Sequence, residues 1–138
     1  MGFYDTMTDR IAGLFSGGSL GAILLDSSYT FDPTHEYLSD IISAQAEDSD
    51  LATLTGLDVS VGTNDDDILT LSVKCDPIDF GNFLLTSAVG VAFYREDVDP
   101  ASAELISFDL FDSEESSGSA QDIIYDPPED GIVVFYLS

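Results

Sequence analysis

Gly17-Gly18-Ser19-Leu20-Gly21 spells G-x-S-x-G, the pattern that lifts a nucleophilic serine onto a strained turn between a strand and a helix. Here the order of elements is reversed, with a helical pattern before Ser19 and a strand pattern after it, and the only histidine, His35, lies 16 residues downstream. A glycine turn that stops a helix is the better reading. Cys75, the only cysteine, would need a base and positive surroundings to become a thiolate nucleophile, and Lys74 is the one cation beside it. A lone cysteine is ordinarily a small buried hydrophobe. One cysteine and one histidine also support neither an intrachain disulfide nor a Cys/His zinc cluster.

Among the carboxylates, Asp65, Asp66 and Asp67 are the leading candidates for a divalent cation, followed by Glu96, Asp97 and Asp99. Neither run has the D-x-D-x-D-G spacing that wraps a loop around calcium, and consecutive Asp residues at a hairpin tip suit a solvated face. No resident cofactor is expected, and the cations such a surface gathers are the non-specific ones of a high-salt environment. A carboxylate pair could cleave glycosides, but no pair stands out among the 27 acids and the sequence has no tryptophan for a sugar platform.

The elements that would position these residues begin with a helical pattern. Phe3, Met7, Ile11 and Leu14 recur at steps of three and four, with Tyr4 and Phe15 flanking them, which predicts an amphipathic helix ending at Ser16-Gly17-Gly18-Ser19. Residues 1–18 are therefore expected to form a docking segment and residues 19–138 a β domain. Leu20 to Leu25 reads as a buried strand, and Tyr37 to Ile42, after the Asp32-Pro33 turn, as one helical turn. Beyond it the period is two. Leu57, Val59 and Val61 alternate with polar residues, as do Leu69, Leu71 and Val73, and the acidic stretch between them has hairpin composition. Phe83 to Tyr94 is the most apolar run and is expected to be a central strand, with further strands at Leu105 to Phe111 and Gly131 to Leu137 and a short segment at Asp122 to Tyr125. The predicted fold is mainly β, an antiparallel sandwich or open barrel with the helix as an appendage.

The chain has 138 residues, 44% of them apolar, with 3 Lys and Arg against 27 Asp and Glu, a formal charge of −24. One compact domain is the expectation at that length, and the apolar fraction argues against disorder. Residues 1–69 carry 13 acids and one base and residues 70–138 carry 14 acids and two bases, so the acid is a property of the whole surface and not of a tail. Self-repulsion on this scale weakens a compact state, and at ~1 M salt the screening length falls to ~3 Å and most of the penalty goes. The composition is that of a halophile's protein. With Arg10, Lys74 and Arg95 as the only strong cations, neither nucleic acid nor an anionic membrane is an expected partner. No apolar stretch reaches the ~20 residues that span a bilayer. Met1 to Thr6 formally fits the myristoylation pattern, without the polybasic second signal that stable anchoring requires.

The most distinctive stretch is Leu24-Leu25-Asp26-Ser27-Ser28-Tyr29-Thr30-Phe31-Asp32-Pro33-Thr34-His35-Glu36-Tyr37-Leu38-Ser39-Asp40-Ile41. It resembles a family of small virion-associated proteins of tailed bacterial and archaeal viruses, in which an "ALLD…YTFD…H(D/E)FLSDI" segment follows the first strand. The likeness continues more loosely through Leu54-Thr55-Gly56, the acidic turn at Asn64 to Asp67, Tyr94-Arg95-Glu96 and the closing Ile132 to Leu137. It implies a non-enzymatic structural component of a virion, a decoration or turret subunit on the capsid exterior. The acidic surface would make the host a halophilic archaeon, with the chain synthesised in its cytoplasm. The implied partners are the major capsid protein or other virion proteins and further copies of the chain, since symmetric homo-oligomers are the default in such assemblies. Phe3, Tyr4, Met7, Ile11 and Leu14 are the residues expected to bind a partner, by laying the helix into a groove of the shell or of a neighbouring subunit. A tail or neck protein involved in assembly or host attachment is the alternative. A small halophilic enzyme with a carboxylate site is a third reading, with no pair of residues to nominate.

Overall fold

The computed structural model describes residues 2–3, 19–63, 69–129 and 131–137, with the strand residues 2–3, 59–63, 69–71 and 133–137 described by their backbone pairing alone. The strands among the described residues are β1 (Gly2–Phe3), β2 (Leu20–Leu25), β3 (Ala52–Thr53), β4 (Asp58–Thr63), β5 (Leu69–Lys74), β6 (Ile78–Phe83), β7 (Ala88–Arg95), β8 (Leu105–Glu115), β9 (Gln121–Tyr125) and β10 (Val133–Leu137). Two single 3-10 turns, Leu38–Asp40 and Ile42–Ala44, are the helical elements among the described residues. The strands make a five-stranded sheet in the order β1-β8-β7-β2-β3, a three-stranded sheet β10-β5-β4 and a two-stranded sheet β6-β9. All pairings are antiparallel, and no sheet closes into a barrel.

The five-stranded sheet is covered on both faces, which accounts for the apolar character of β2 and β7. Leu20, Ala22 and Leu24 of β2 and Val91 and Phe93 of β7 face a first cluster that is completed by Ile78 and Phe80 of β6, Val73 of β5 and Ile132. On the other face Ile23, Leu25, Ala92 and Tyr94 meet a second cluster built from Tyr29, Leu38, Ile41 and Ala44, residues with no strand of their own. Burying one such side chain contributes roughly 1.5–3 kcal/mol, so each cluster is a substantial part of the fold's stability. Ser107 is the buried polar residue among those described, and its hydroxyl donates to the Ile132 carbonyl at 2.8 Å, joining β8 to the segment that leads into β10.

Two strands carry irregularities that reset which face their side chains take. In β6 the pairs Asp79↔Ile124 and Asn82↔Asp122 leave one extra residue on β6, and Gly81 sits there at φ 107°. The bulge lets Phe83 join Ile78 and Phe80 in the core, although a strict alternation from Ile78 would turn it outward. In β8 the pairs Phe93↔Ser107 and Tyr94↔Leu105 leave Ile106 as the extra residue. Leu105 and Phe108 consequently face the same cluster.

The run expected as one central strand from Phe83 to Tyr94 is interrupted. Phe83 closes β6 in the two-stranded sheet, and β7, at the centre of the five-stranded sheet, starts at Ala88. The chain crosses from one sheet to the other at residues 84–87, where Leu85 pairs with Ser117 through its carbonyl and donates its N–H to the Ser117 hydroxyl. Phe3 lies in a strand and not in the expected helix, because Gly2 and Phe3 pair with Phe108 and Ser107 at the edge of the five-stranded sheet. The rest of the predicted helix, Tyr4 to Leu14 with Met7 and Ile11, lies outside the described residues, as do Asp65, Asp66 and Asp67.

Candidate functional site

The distinctive stretch from Leu24 to Ile41 leaves β2, passes over the second cluster and returns to β2. Asp26 donates its N–H to the Ala44 carbonyl and Ala46 donates to the Leu24 carbonyl, both at 2.8 Å, while Leu38 donates to Ala103 and Leu105 to Glu36 across to the start of β8. Its carboxylates serve this path. Asp26 accepts from the Ser28 N–H and hydroxyl, and Asp32 accepts from the N–H and hydroxyl of Thr34, each a local turn in which a side chain replaces a backbone acceptor. Asp40 accepts from the N–H groups of Glu36 and Tyr37, both at 3.0 Å. These bonds stabilise the charged form, so the hydroxyl and N–H of Thr34 hold the Asp32 carboxyl below its ordinary value and the N–H groups of Tyr37 and Glu36 do the same for Asp40. His35 stands beside Asp32 at 3.9 Å and tilts against Tyr29, and Tyr29 and Phe31 both pack on the Phe108 ring.

The other candidates are separated by the sheet. Cys75 packs against the first cluster, whereas His35 belongs with the layer over the second, so the two lie on opposite sides of the five-stranded sheet and form no nucleophile–base pair. Burial pushes the Cys75 thiol up, and the neighbouring Asp76 adds to the shift, the reverse of what a nucleophile requires. Ser19 is exposed at the entry to β2 with its carbonyl accepting from the Glu96 N–H, and Gly21 lies under the Tyr94 ring. Glu96 accepts from the Thr53 hydroxyl, Asp97 from the Asp99 N–H and Asp99 from the Ala101 N–H, a chain of turn contacts that occupies the second acidic run. Among the described residues no group of three or more His, Cys, Asp or Glu is placed to hold a metal ion.

A concavity among the described residues was not singled out by sequence. Where β8 and β9 diverge, a groove of about 550 Å³ opens between the two-stranded and five-stranded sheets. Its floor is the first cluster, with Leu24, Phe80, Leu85 and Ala88, and Phe111 of β8 and Ile123 of β9, half-buried against that cluster, flank it, while the exposed Leu110 and Ile124 alternate with them and point outward. Asp112, Glu115, Asp122 and Asp126 stand around it. Tyr125 crosses the base and donates its hydroxyl to the Asp109 carboxylate. Burial first, and then the bond to Asp109, raises the Tyr125 phenol, which stays protonated as the donor. The wall on the β8 side comes from a bulge, since Gly90↔Leu110 is followed by Ala88↔Glu115 and five residues of β8 span a two-residue step of β7. At the groove's end Ser117 donates its hydroxyl to the Ser119 carbonyl and its N–H to the Leu85 carbonyl, fixing the β8–β9 turn.

No family model, no curated protein and no solved structure matches this chain.

Proposed function

We propose that this chain is a non-enzymatic structural component of a virion, a capsid decoration or turret subunit on the head of a tailed virus whose host is a halophilic archaeon. The observation that carries the reading is the use made of the segment that resembles virion proteins. Asp26, Asp32 and Asp40 are engaged by backbone N–H groups, and Tyr29, Leu38 and Ile41 cover one face of the central sheet, so the residues behind the resemblance build a scaffold. The halophilic host is supported by the disposition of the acid. Every described Asp and Glu is exposed or half-buried, which spreads the charge of −24 over the surface that high salt would screen.

In this reading the chain contacts the major capsid protein or another virion protein, and further copies of itself, through the face of Tyr4, Met7, Ile11 and Leu14, with Phe3 tied to the sheet edge as part of β1. Cations from the high-salt medium gather where two acidic surfaces meet, because unpaired charge is costly to bury. Cryo-EM of purified particles with quantitative mass spectrometry tests it. Many copies at capsid symmetry positions are the expected result, a few copies at the tail would move the chain to adsorption or assembly, and absence from the particle would overturn the reading. Replacing Met7 and Ile11 together by Asp is expected to abolish incorporation while leaving the far-UV spectrum unchanged, and normal incorporation would remove the docking face from it.

A further inference from the structure

We infer that the strand β1 is exchanged between copies of this chain, so that Gly2 and Phe3 of one copy pair with the β8 edge of its neighbour. The occupant of that edge is given by the fold, in which Gly2↔Phe108 and Phe3↔Ser107 are the antiparallel pairs of β1. The edge itself is fixed in place by the core. Ser107 and Phe108 are 0% and 2% exposed, the Ser107 hydroxyl donates to the Ile132 carbonyl, and the Phe108 ring is packed by Tyr29 and Phe31. Backbone groups at so enclosed an edge need partners. The strand that supplies them is the weakly held component, because β1 contributes two residues, whereas β2 pairs with β7 along its whole length, from Leu20↔Arg95 to Leu25↔Gly90.

Topology permits the strand to come from either copy. In the order β1-β8-β7-β2 the chain must pass two strands to reach Leu20, three strand spacings or ~14 Å. Residues 4–19 make that connection, and a segment of their number reaches ~24 Å even as one continuous helix and ~50 Å when extended. The extended surplus of ~36 Å matches the ~37 Å diameter expected of a 138-residue domain, so the same strand can reach the same edge on an adjacent copy. Exchange forms the pairs that the single chain forms, which is why swapping an element costs little. What favours it is crowding of copies, since a short linker holds its own strand at an effective concentration of only about millimolar. The charge selects the same contact. Met1 to Tyr4 and Leu105 to Phe108 carry no acid in a chain with 27 of them, so two copies meet here without carboxylates inside the paired segments. The inference rests on the reading that further copies of the chain are among its partners; it is tested on the purified chain, so its failure leaves the particle experiment standing.

The test is paramagnetic broadening between copies. A 15N-labelled full-length chain carries Cys75→Ala, and an equal amount of chain without 15N carries Cys75→Ala and a nitroxide on Asp5→Cys, just beyond Phe3. The two are equilibrated at a total of about 1 mM, near the effective concentration of the linked strand, in about 1 M KCl, where screening to ~3 Å removes most of the repulsion between copies. About half of the edges then hold a neighbour's strand and half of those strands carry the nitroxide, so the amides of residues 105–109 should lose about a quarter of their intensity relative to the reduced sample, and tenfold dilution should shrink the loss severalfold. Gly2→Pro together with Phe3→Pro on the nitroxide chain removes whichever N–H faces β8 and should abolish the loss. The same nitroxide on the 15N chain itself, diluted with chain that carries neither label, reports pairing within a copy. Broadening in that sample with none between copies would mean that each chain keeps its own β1 and would overturn the proposal. So would broadening scattered over the surface, broadening that survives the two prolines, or none in either sample.

Discussion

Replacing Gly21 by Ala discriminates between a packing role and a chemical role for the G-x-S-x-G run. Gly21 is paired directly with Tyr94, and an added Cβ would stand 2.5 to 2.7 Å from the Cζ, Cε2 and hydroxyl oxygen of that ring. Comfortable carbon contacts are about 3.5–4.0 Å, so the ring would have to move by about 1 Å. Tyr94 is 3% exposed within the second cluster, and forced displacement in such a place costs about 1–3 kcal/mol. Against this, Gly→Ala narrows the unfolded ensemble and returns about 0.4–1 kcal/mol. The net expectation is a loss of about 1–2 kcal/mol, which lowers the thermal midpoint of a chain this size by about 3–6 °C. Circular dichroism melts and urea titrations in about 1 M KCl provide the assay under screened conditions. Tyr94→Val removes the ring, and on that background Gly21→Ala should cost nothing, a coupling of at least about 1 kcal/mol in the double-mutant cycle. Ser19→Ala, on an exposed side chain, should stay within about 0.5 kcal/mol of the parent. A neutral Gly21→Ala, or one whose effect adds to that of Tyr94→Val, would refute the argument that the glycine is there to admit the ring.

Asp40→Asn should destabilise the chain by about 1 kcal/mol at neutral pH, since its carboxylate accepts two backbone N–H groups from a largely exposed position. A carboxyl lowered by folding binds fewer protons in the folded state, so its contribution is full above the ordinary carboxylate range and is lost as pH falls through the folded value; the gap between parent and variant should close below about pH 4, and a gap constant to pH 2 would refute it. Tyr94 works in the opposite direction. Burial, aided by Glu96, pushes its phenol up to about 12, so the folded chain retains that proton and loses stability as pH rises from about 10 toward 12, and Tyr94→Phe should flatten this decline in urea midpoints measured across the range. Finally, the urea midpoint of the parent should rise between about 0.1 M and 1 M KCl as the screening length falls from ~10 Å to ~3 Å. An unchanged midpoint would mean that the charge of −24 is not a significant load on the fold.

The regular parts of the fold are visible in the sequence because period and burial coincide there. β4 and β5 alternate cleanly and pair as a hairpin from Asp58↔Lys74 to Thr63↔Leu69, and the continuous apolar run of β2 is a strand covered on both faces. β6 is hidden for a definite reason. Its inward residues are Ile78, Phe80 and Phe83, a spacing of two and then three, and only the bulge at Gly81 makes those positions one face. The break between Phe83 and Ala88 is hidden for another, since Leu84 and Leu85 are as apolar as their neighbours while the chain changes sheets. The groove is a product of both kinds of irregularity. Its β8 wall exists because five residues span a two-residue step, and its floor is drawn from β2, β6 and β7, which no local pattern brings together. Leu110 and Ile124 illustrate the same point, since their exposed side chains alternate with the inward Phe111 and Tyr125 and only the pairing of strands shows which face each takes.

A central sheet buried on both faces also constrains where this protein can meet anything else. Strands β2 and β7 have no surface to spare, so the acid is carried by loops, strand ends and the outer residues of β8 and β9. Within that periphery the layer over the second cluster has already committed its carboxylates, as Asp26, Asp32 and Asp40 are taken up by backbone donors and local hydroxyls. The groove between β8 and β9 has its apolar floor packed within the first cluster, with Asp112, Glu115, Asp122 and Asp126 around it. In a medium salty enough to screen a charge of −24, long-range attraction can contribute little to recognition, and what remains effective is contact: apolar surface, backbone hydrogen bonds and charges close enough to touch.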